Sequence, residues 1–246
     1  MRIYSDVLQM VKEVGRELKE LGITVPISHY QDKYVKGDER FFTKELIGYT
    51  FKVSNPTIYH NEMIEFVYNK NPKEGERVKQ FIEQEVKDRT SGKSLNPGNS
   101  YKFRLNLWKE FLHEDGKFSY QYAERINDVN LEKNQIEKVI EELRTSPDSR
   151  QGIVQIFNYL YDHKNIGGVK RIPCTMHYQF LLRNSKLHSC YVMRSNDLYG
   201  HFCVDIIVAA RIQMYIAEKL NVGVGSLTYF SGSLHAYMKD FDELIF

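Results

Sequence analysis

Residues Ile206–Leu220 read IIVAARIQMYIAEKL and are apolar almost all the way round a helix. A helix without a polar face lies in the interior of a globular protein or crosses a membrane. This segment is shorter than the ~20 residues that a membrane span needs, and it carries Arg211. We therefore predict a buried helix that packs behind a sheet.

The segments on either side of this helix have the residue types of β-strands. They are rich in aromatic and β-branched residues, and RNSK at 183–186 has the composition of a hairpin turn. The predicted strands are Gly152–Phe157, Thr175–Leu182, Leu187–Met193 and Leu227–Ser231, with a short strand-like piece at Gly48–Val53.

Apolar residues at helical spacing predict three amphipathic helices in the rest of the chain. They cover Val7–Leu18, Arg77–Arg89 and Leu131–Leu143. We expect an α+β fold in one domain over residues 1–246, with a mixed or antiparallel sheet, flanking helices and a buried central helix.

The composition excludes several classes of protein. With 42% hydrophobic and 27% charged residues, the chain is globular rather than disordered or fibrous. A net charge of +2 is too close to neutral for a dedicated duplex-DNA-binding protein. The N-terminus lacks the apolar core of a secretory signal, and three cysteines suit a reducing compartment. We expect a cytoplasmic protein without membrane contact.

Cys174 has the setting of a nucleophile. It follows Pro173, which fixes the backbone, and it opens a strand-like run. Nearby arginines would favour its thiolate, the reactive form. The alternative is a small buried apolar residue, since free cysteine is among the most buried residue types.

Several polar residues suit a phosphate or a sugar. Arg150 ends the motif PDSR and Arg194 begins RSND, and a guanidinium beside a serine hydroxyl binds phosphate well. His235 and Tyr237 alternate on an extended segment and so share a face. Glu85 stands among charged residues on a predicted helix, which by itself indicates a solvated face.

A zinc site is the competing interpretation of the cysteines and histidines between residues 174 and 203. The spacings are Cys-x-x-His, His-x-Cys and His-x-Cys. Zinc sites prefer Cys-x₂₋₄-Cys or His-x₃₋₅-His, which no pair here has, so we predict no metal site.

Taken together, these motifs resemble the thymidylate synthase family. The order of motifs is that of the family, and Trp108 and Tyr122 stand fourteen residues apart, as its folate-site tryptophan and active-site tyrosine do. Glu85 falls where the family keeps its catalytic glutamate. The matching motifs are PDSR at 147–150, Pro173–Cys174 with Gln179 five residues on, RSND at 194–197, and Ser-x-x-His-x-Tyr ending at Tyr237.

The resemblance implies a homodimer that transfers a one-carbon unit from 5,10-methylenetetrahydrofolate to C5 of a pyrimidine nucleoside monophosphate. Cys174 would add to C6 of the base, and Arg150 would reach the phosphate in the partner's site. By resemblance, the catalytic residues are Cys174, Glu85, Tyr122 and Asp205. The residues that bind the nucleotide are Arg150, Arg194, Ser195, Gln179, His235 and Tyr237. The folate is contacted by Trp108 and Asp197.

Asp205 departs from the thymidylate synthase pattern. Eleven residues past Arg194, synthases place an asparagine that pairs with uracil. A carboxylate accepts from the amino group of cytosine but opposes O4 of uracil, a mismatch that costs ~1–3 kcal/mol when buried. Asp205 and Thr175, which replaces a usual histidine, resemble the deoxycytidylate 5-hydroxymethyltransferases. The alternative is that Asp205 caps the following helix.

A second departure concerns the product. The chain ends at Phe246, nine residues after Tyr237, whereas the synthases continue into a segment that folds over the folate. Without that cover, we expect water to reach the methylene intermediate and give hydroxymethyl.

Three alternatives stay open. The first is a thymidylate synthase or dCMP methylase that makes methyl and dihydrofolate. The second is a hydroxymethylase for CMP. The third is a catalytically silent relative that binds nucleotide or RNA.

Overall fold

A mixed sheet and a long apolar helix organise the chain. The computed structural model describes residues 1–30, 33–128, 130, 133–167 and 171–241. The strands are β1 (Arg2–Asp6), β2 (Ile23–Val25), β3 (His29–Tyr30), β4 (Lys33–Tyr34), β5 (Thr43–Asn55), β6 (Ile153–Gln155), β7 (Thr175–Arg183), β8 (Lys186–Asp197) and β9 (Gly223–Tyr237). The helices are α1 (Val7–Leu21), α2 (His60–Val67), α3 (Pro72–Thr90), α4 (Leu105–Trp108), α5 (Tyr122–Ile126), α6 (Gln135–Thr145), α7 (Tyr159–Asp162) and α8 (Cys203–Leu220).

The main sheet has seven strands in the order β1–β5–β9–β8–β7–β6, with β2 paired to β5. The β1–β5 and β8–β9 pairs are parallel and the remaining pairs are antiparallel. The predicted α+β class with a mixed sheet is therefore confirmed.

A row of four aromatic side chains crosses the sheet on the side that faces the helices. Phe51, Tyr229, Tyr191 and Tyr178 are register partners on β5, β9, β8 and β7. Tyr178 stacks on Tyr191 with ring centroids 4.7 Å apart, and Phe51 stacks on Tyr229 at 4.8 Å. Side chains on successive residues of a strand alternate between faces, so this row belongs to the core.

Helix α8 packs against this face of the sheet. Leu198–Leu220 is long and apolar enough to span a membrane by length and composition, but most of it is buried inside the fold. It is the core helix that the composition of 206–220 predicts. The buried side chains of the described residues form one hydrophobic cluster around it.

The predicted helices and strands differ from the structure mainly at their ends. α3 begins at Pro72, where Asn71 caps it by accepting from Glu74 N, and not at Arg77. α6 begins at Gln135 after the cap residue Asn134, and the predicted start at Leu131 lies outside the described residues. β5 is much longer than the predicted piece at Gly48–Val53, and β1 and α2 were not predicted.

The opposite face of the sheet carries exposed side chains. Phe230 is 40% exposed and alternates along β9 with the core residue Tyr229. Across the strands, Phe230 is the register partner of Val192, and Val192 is that of His177. We call the side of the sheet that bears these residues the open face.

Candidate active site

A cavity of about 550 Å³ opens where the sheet meets α3 and the start of α8. This volume is in the range of small-molecule sites. The ends of β8 and β9, the first turn of α8, and residues 100–122 supply its walls. Ten of the predicted site residues line it, namely Glu85, Trp108, Tyr122, Cys174, Arg194, Ser195, Asp197, Asp205, His235 and Tyr237.

Cys174 lies at the wall of this cavity beside Arg194. The backbone N–H of Arg194 donates to the Cys174 carbonyl at 2.8 Å, and Arg194 Nη2 lies 3.5 Å from Cys174 Sγ. Burial raises the pKa of the Cys174 thiol, against the opposing effect of Arg194. The neighbouring arginine expected for a reactive thiol is present, but its charge does not overcome the burial.

Glu85 is only 3% exposed, so it does not belong to a solvated face. Arg89 Nε donates to Glu85 Oε1 at 2.8 Å, one helical turn along α3. Ser100 Oγ donates to Glu85 Oε2 at 2.5 Å. The Arg89 guanidinium also lies 4.2 Å from the ring centre of Tyr122, and burial raises the pKa of that tyrosine well above its usual range. Both carboxylate oxygens of Glu85 are thus held in place.

Asp88 fixes the loop that brings Ser100 to Glu85. Its Oδ2 accepts from the backbone N–H groups of Asn99 at 2.6 Å and Ser100 at 3.0 Å, and its Oδ1 accepts from the Asn99 side chain. Asp88 is buried, and these bonds satisfy its charge.

Asp205 occupies the third position of α8, inside its first turn. The residue before the helix is Phe202, and no side chain caps this end, so the interpretation of Asp205 as a cap residue is wrong. Burial raises the pKa of Asp205 from 3.8 to about 7, with Arg89 opposing the shift and Glu85 adding to it. The carboxyl therefore gains or loses a proton near neutral pH.

Polar side chains from β8 and β9 form the end of the cavity next to Arg194. The Arg194 guanidinium donates to the carbonyls of Pro173 and Ile172, so it also holds the strand entrance that carries Cys174. Ser195 Oγ lies 3.4 Å from His235 Nδ1. The His235 and Tyr237 rings are in edge contact at 5.5 Å, on the one face that their alternation predicts.

An aromatic wall closes another side of the cavity. Trp108 packs against Phe111, Phe118 and His201, with ring centroids 5.6 to 6.2 Å apart. Arg171 lies over the Trp108 and Phe111 rings. Trp108 Nε1 is buried without a hydrogen-bond partner in the described structure.

Asp197 supports the turn between β8 and α8. Its Oδ1 accepts from the backbone N–H groups of Tyr199 and Gly200, each at 3.1 Å. This carboxylate borders the cavity and at the same time fixes its wall.

Arg150 and Gln179 lie away from this cavity. Arg150 is exposed after α6, and its carbonyl accepts from Gln179 Nε2 at 2.9 Å. Gln179 is the register partner of Cys190 and alternates with the core residues Tyr178 and Phe180, so it belongs to the open face. Gln179 does not line the cavity of its own chain, and its expected role at the nucleotide stays a prediction.

Three cavity residues escaped the sequence analysis. Arg89 could have been found from its spacing, because a cation four residues after Glu85 on a helix forms an ion pair. Ser100 comes from a loop, and its approach to Glu85 depends on tertiary structure. His201 entered only the rejected zinc pattern, and its place in the cavity depends on a π-helical turn, Leu198–Phe202, that the sequence did not predict.

The cysteines and histidines considered for zinc are spread over the fold. The described residues contain no group of three or more His, Cys, Asp or Glu that could hold a metal ion. Cys190 lies on β8 and Cys203 is buried at the start of α8.

The amino-acid sequence matches a known protein family and several of its relatives. Residues 86–245 match the family model described as thymidylate synthase, so the match begins one residue after Glu85. A deoxyuridylate hydroxymethyltransferase of Bacillus phage SP01 is 28% identical over 236 residues, 80% of this chain and 61% of that protein. A putative thymidylate synthase of Methanosarcina mazei is 34% identical over 125 residues, 51% of this chain and 56% of that protein. The matches therefore span less than two thirds of either relative.

Solved structures give the same fold. Thermostable thymidylate synthase A from Bacillus subtilis superimposes with a TM-score of 0.66 at 16% identity, covering 97% of this chain and 82% of that one. The thymidylate synthase of T4 phage gives 0.68 at 18% identity, covering 96% and 78%.

Proposed function

The chain belongs to the thymidylate synthase family, and on that premise we propose that it transfers a one-carbon unit to C5 of a pyrimidine nucleotide, as hydroxymethyl to dCMP. The observation that carries the proposal is the shared cavity of Cys174, Glu85 and Asp205. The domain is a single catalytic one. The three cysteines are free thiols, which suits a reducing compartment such as the cytoplasm.

Cys174 begins the reaction by bonding to C6 of the base. Addition at C6 makes C5 electron-rich, which divides a difficult substitution into an addition and an elimination. The raised pKa of the thiol means that the sulfur is protonated in the resting protein. Arg194, at 3.5 Å, stabilises the thiolate as it forms.

Asp205 selects the base through the proton that its neutral carboxyl carries. A neutral carboxyl donates its proton to N3 of cytosine and accepts from the amino group. Because N3 of cytosine is basic, the proton can move to the ring, and the two hydrogen bonds then join opposite charges and become stronger. Uracil offers no comparable base, so its pair with Asp205 stays neutral. A pKa of about 7 keeps this proton available at neutral pH.

Arg194 and Ser195 hold the 5′-phosphate, and His235 and Tyr237 bind the sugar hydroxyl. The exposed Arg150 completes the phosphate site of a second copy, which packs on the open face of the sheet. Gln179 positions Arg150, because its Nε2 donates to the Arg150 carbonyl at 2.9 Å. Exposed apolar residues on that face, including Phe230, suit burial between two copies.

The aromatic wall fits a folate. Trp108 offers a stacking face, and its buried, unpartnered N–H suits a polar ring atom. Asp197 borders the same cavity. When bound, 5,10-methylenetetrahydrofolate supplies a methylene group at the oxidation level of formaldehyde. Glu85 and Tyr122 order water and relay protons at C5.

dUMP is the second candidate substrate. The observation that favours it is the similarity to a phage protein named as a deoxyuridylate hydroxymethyltransferase. A neutral Asp205 can donate to O4 of uracil and accept from its N3–H, so the carboxyl does not exclude dUMP. A methyl product from either nucleotide, and CMP as substrate, are the remaining alternatives.

Product analysis tests the proposal. We expect dCMP, incubated with the protein and 5,10-methylenetetrahydrofolate, to gain the mass of CH₂O, and tritium at C5 to enter water. Cys174→Ser abolishes both results. A gain of CH₂ instead identifies a methylase, and a larger yield from dUMP or CMP reassigns the substrate. No tritium release from any of the three nucleotides would sink the proposal.

A further inference from the structure

His201 lines the cavity between the proposed folate wall and the residue that reads the base. Its ring contacts Trp108 at 5.6 Å on one side. Asp205 follows four residues later in the chain and lines the same cavity. Both side chains therefore border the space that the nucleotide and the folate would share.

The backbone of Gly200, the residue before His201, is held by hydrogen bonds at both its N–H and its carbonyl. Asp197 accepts from the backbone N–H groups of Tyr199 and Gly200, and Arg104 Nη1 donates to the Gly200 carbonyl at 3.3 Å. π-Helical turns are rare in proteins, and those that occur often lie at functional sites. The ring is thus presented to the cavity by rigid backbone.

The ring nitrogens of His201 have no assigned task. Within the described part of the chain, no side chain or backbone group forms a hydrogen bond with either nitrogen. Burial and the neighbouring Arg104, Arg171 and His235 lower the pKa of His201 to about 3. The ring is neutral at any working pH and always keeps one nitrogen as an acceptor.

A hydroxymethyl product requires a water molecule at a defined place. Glu85 is assigned to the water that relays the C5 proton, and Arg89 and Ser100 each already occupy one acceptor position on its carboxylate. We propose that His201 orients the water molecule that attacks the exocyclic methylene carbon of the Cys174-bound nucleotide. This inference rests on the proposed function and adds the residue that decides between water and other nucleophiles.

For dCMP, the attack by water breaks the double bond between C5 and the exocyclic carbon. The water oxygen bonds to the exocyclic carbon, and the electron pair of its double bond to C5 moves through C4 to N3, which takes the proton of Asp205. The proton that the water loses passes to solvent. The Cys174 thiolate then leaves C6, the C5–C6 double bond forms again, and N3 returns its proton to Asp205.

The role of His201 is tested by measuring two products of the same reaction, the tritium released from C5 and the hydroxymethyl nucleotide. Tritium release from C5 precedes the attack by water, whereas hydroxymethyl formation follows it. The measurement is the ratio of hydroxymethyl product to tritium released, with 2-mercaptoethanol present to capture the methylene intermediate as a thioether. This ratio does not depend on how much of a variant folds.

The variants are His201→Phe and His201→Leu, which remove the acceptor, and His201→Gln, which keeps one. We expect the ratio to fall at least about tenfold in the first two, with a matching rise in thioether, and to recover in part in His201→Gln. The exposed His29→Asn is the control with an unchanged ratio. An unchanged ratio in His201→Phe and His201→Leu overturns this inference alone, whereas no tritium release by the unmodified protein overturns the proposed function with it.

Discussion

Asp205 carries the clearest electrostatic signature at the scale of single residues. Burial raises its pKa from 3.8 to about 7, so the folded protein holds a proton that the unfolded chain releases between those values. The folded state therefore loses stability as the pH rises through this window and has lost it fully above about pH 7. Arg89 limits the loss, because its charge favours the carboxylate.

Asp205→Asn removes this titration. Relative to the variant, we expect the wild-type free energy of unfolding to fall by about 2 kcal/mol between about pH 5.5 and pH 8.5, since each unit of pKa shift corresponds to ~1.4 kcal/mol. Urea denaturation of both proteins at several pH values measures the difference. The exposed Asp148→Asn is the control. A pH-independent difference between wild type and Asp205→Asn would mean that the carboxyl is already ionised at low pH.

At the scale of elements, one polar side chain joins α8 to the sheet. Gln213 is fully buried. Its Nε2 donates to the Leu187 carbonyl at 2.7 Å and to the Gly225 carbonyl at 3.2 Å, and its Oε1 accepts from Ser189 Oγ at 2.8 Å. One amide therefore links α8 to both β8 and β9. These bonds lie near the start of each strand, whereas Arg194 and His235 lie near the strand ends, so the link fixes α8 to the sheet at a distance from the cavity.

Gln213→Leu leaves buried groups of β8 without a partner. We expect it to lower the free energy of unfolding by about 1–3 kcal/mol for each group that stays unpaired. Adding Ser189→Ala removes one of those groups and recovers part of the loss. Urea denaturation provides the measurement, with the neighbouring, partly exposed Met214→Leu as the matched control. Equal stability of Gln213→Leu and wild type would show that water replaces the amide.

At the scale of the whole molecule, the proposed function predicts a site that two copies of the chain share. Arg150 is exposed and away from the cavity of its own chain. A two-fold dimer on the open face presents the same patch on both partners, so each copy gives Arg150 and receives it.

Mixed dimers test this arrangement. We expect Arg150→Gln and Cys174→Ser each to abolish or strongly reduce tritium release. Subunits of the two variants, unfolded and refolded together, recover about a quarter of the wild-type activity, because half of the dimers are mixed and each has one intact site.

The matched control pairs Glu85→Gln with Cys174→Ser, which alter the same cavity, so that no mixed dimer has an intact site. An Arg150 mixture that is no more active than this control would mean that Arg150 does not act in the partner's site.

The sequence by itself determined the class of the fold and most of the cavity. The apolar run at 206–220 requires a buried helix because no polar face remains to meet water. Alternation in the strands places His235 and Tyr237 on one side. The order of the motifs, by resemblance to the family, predicted that Cys174, Glu85 and Trp108 share one site, although they are far apart in the chain.

Only the tertiary structure decided how these groups behave. Burial depends on contacts between distant segments, and it raises the pKa values of Cys174 and Asp205 although each has an arginine nearby. The pairing of Ser100 with Glu85 depends on a loop that Asp88 holds, and the place of His201 depends on a π-helical turn. Local sequence does not encode these distances, because they arise from packing of the whole chain.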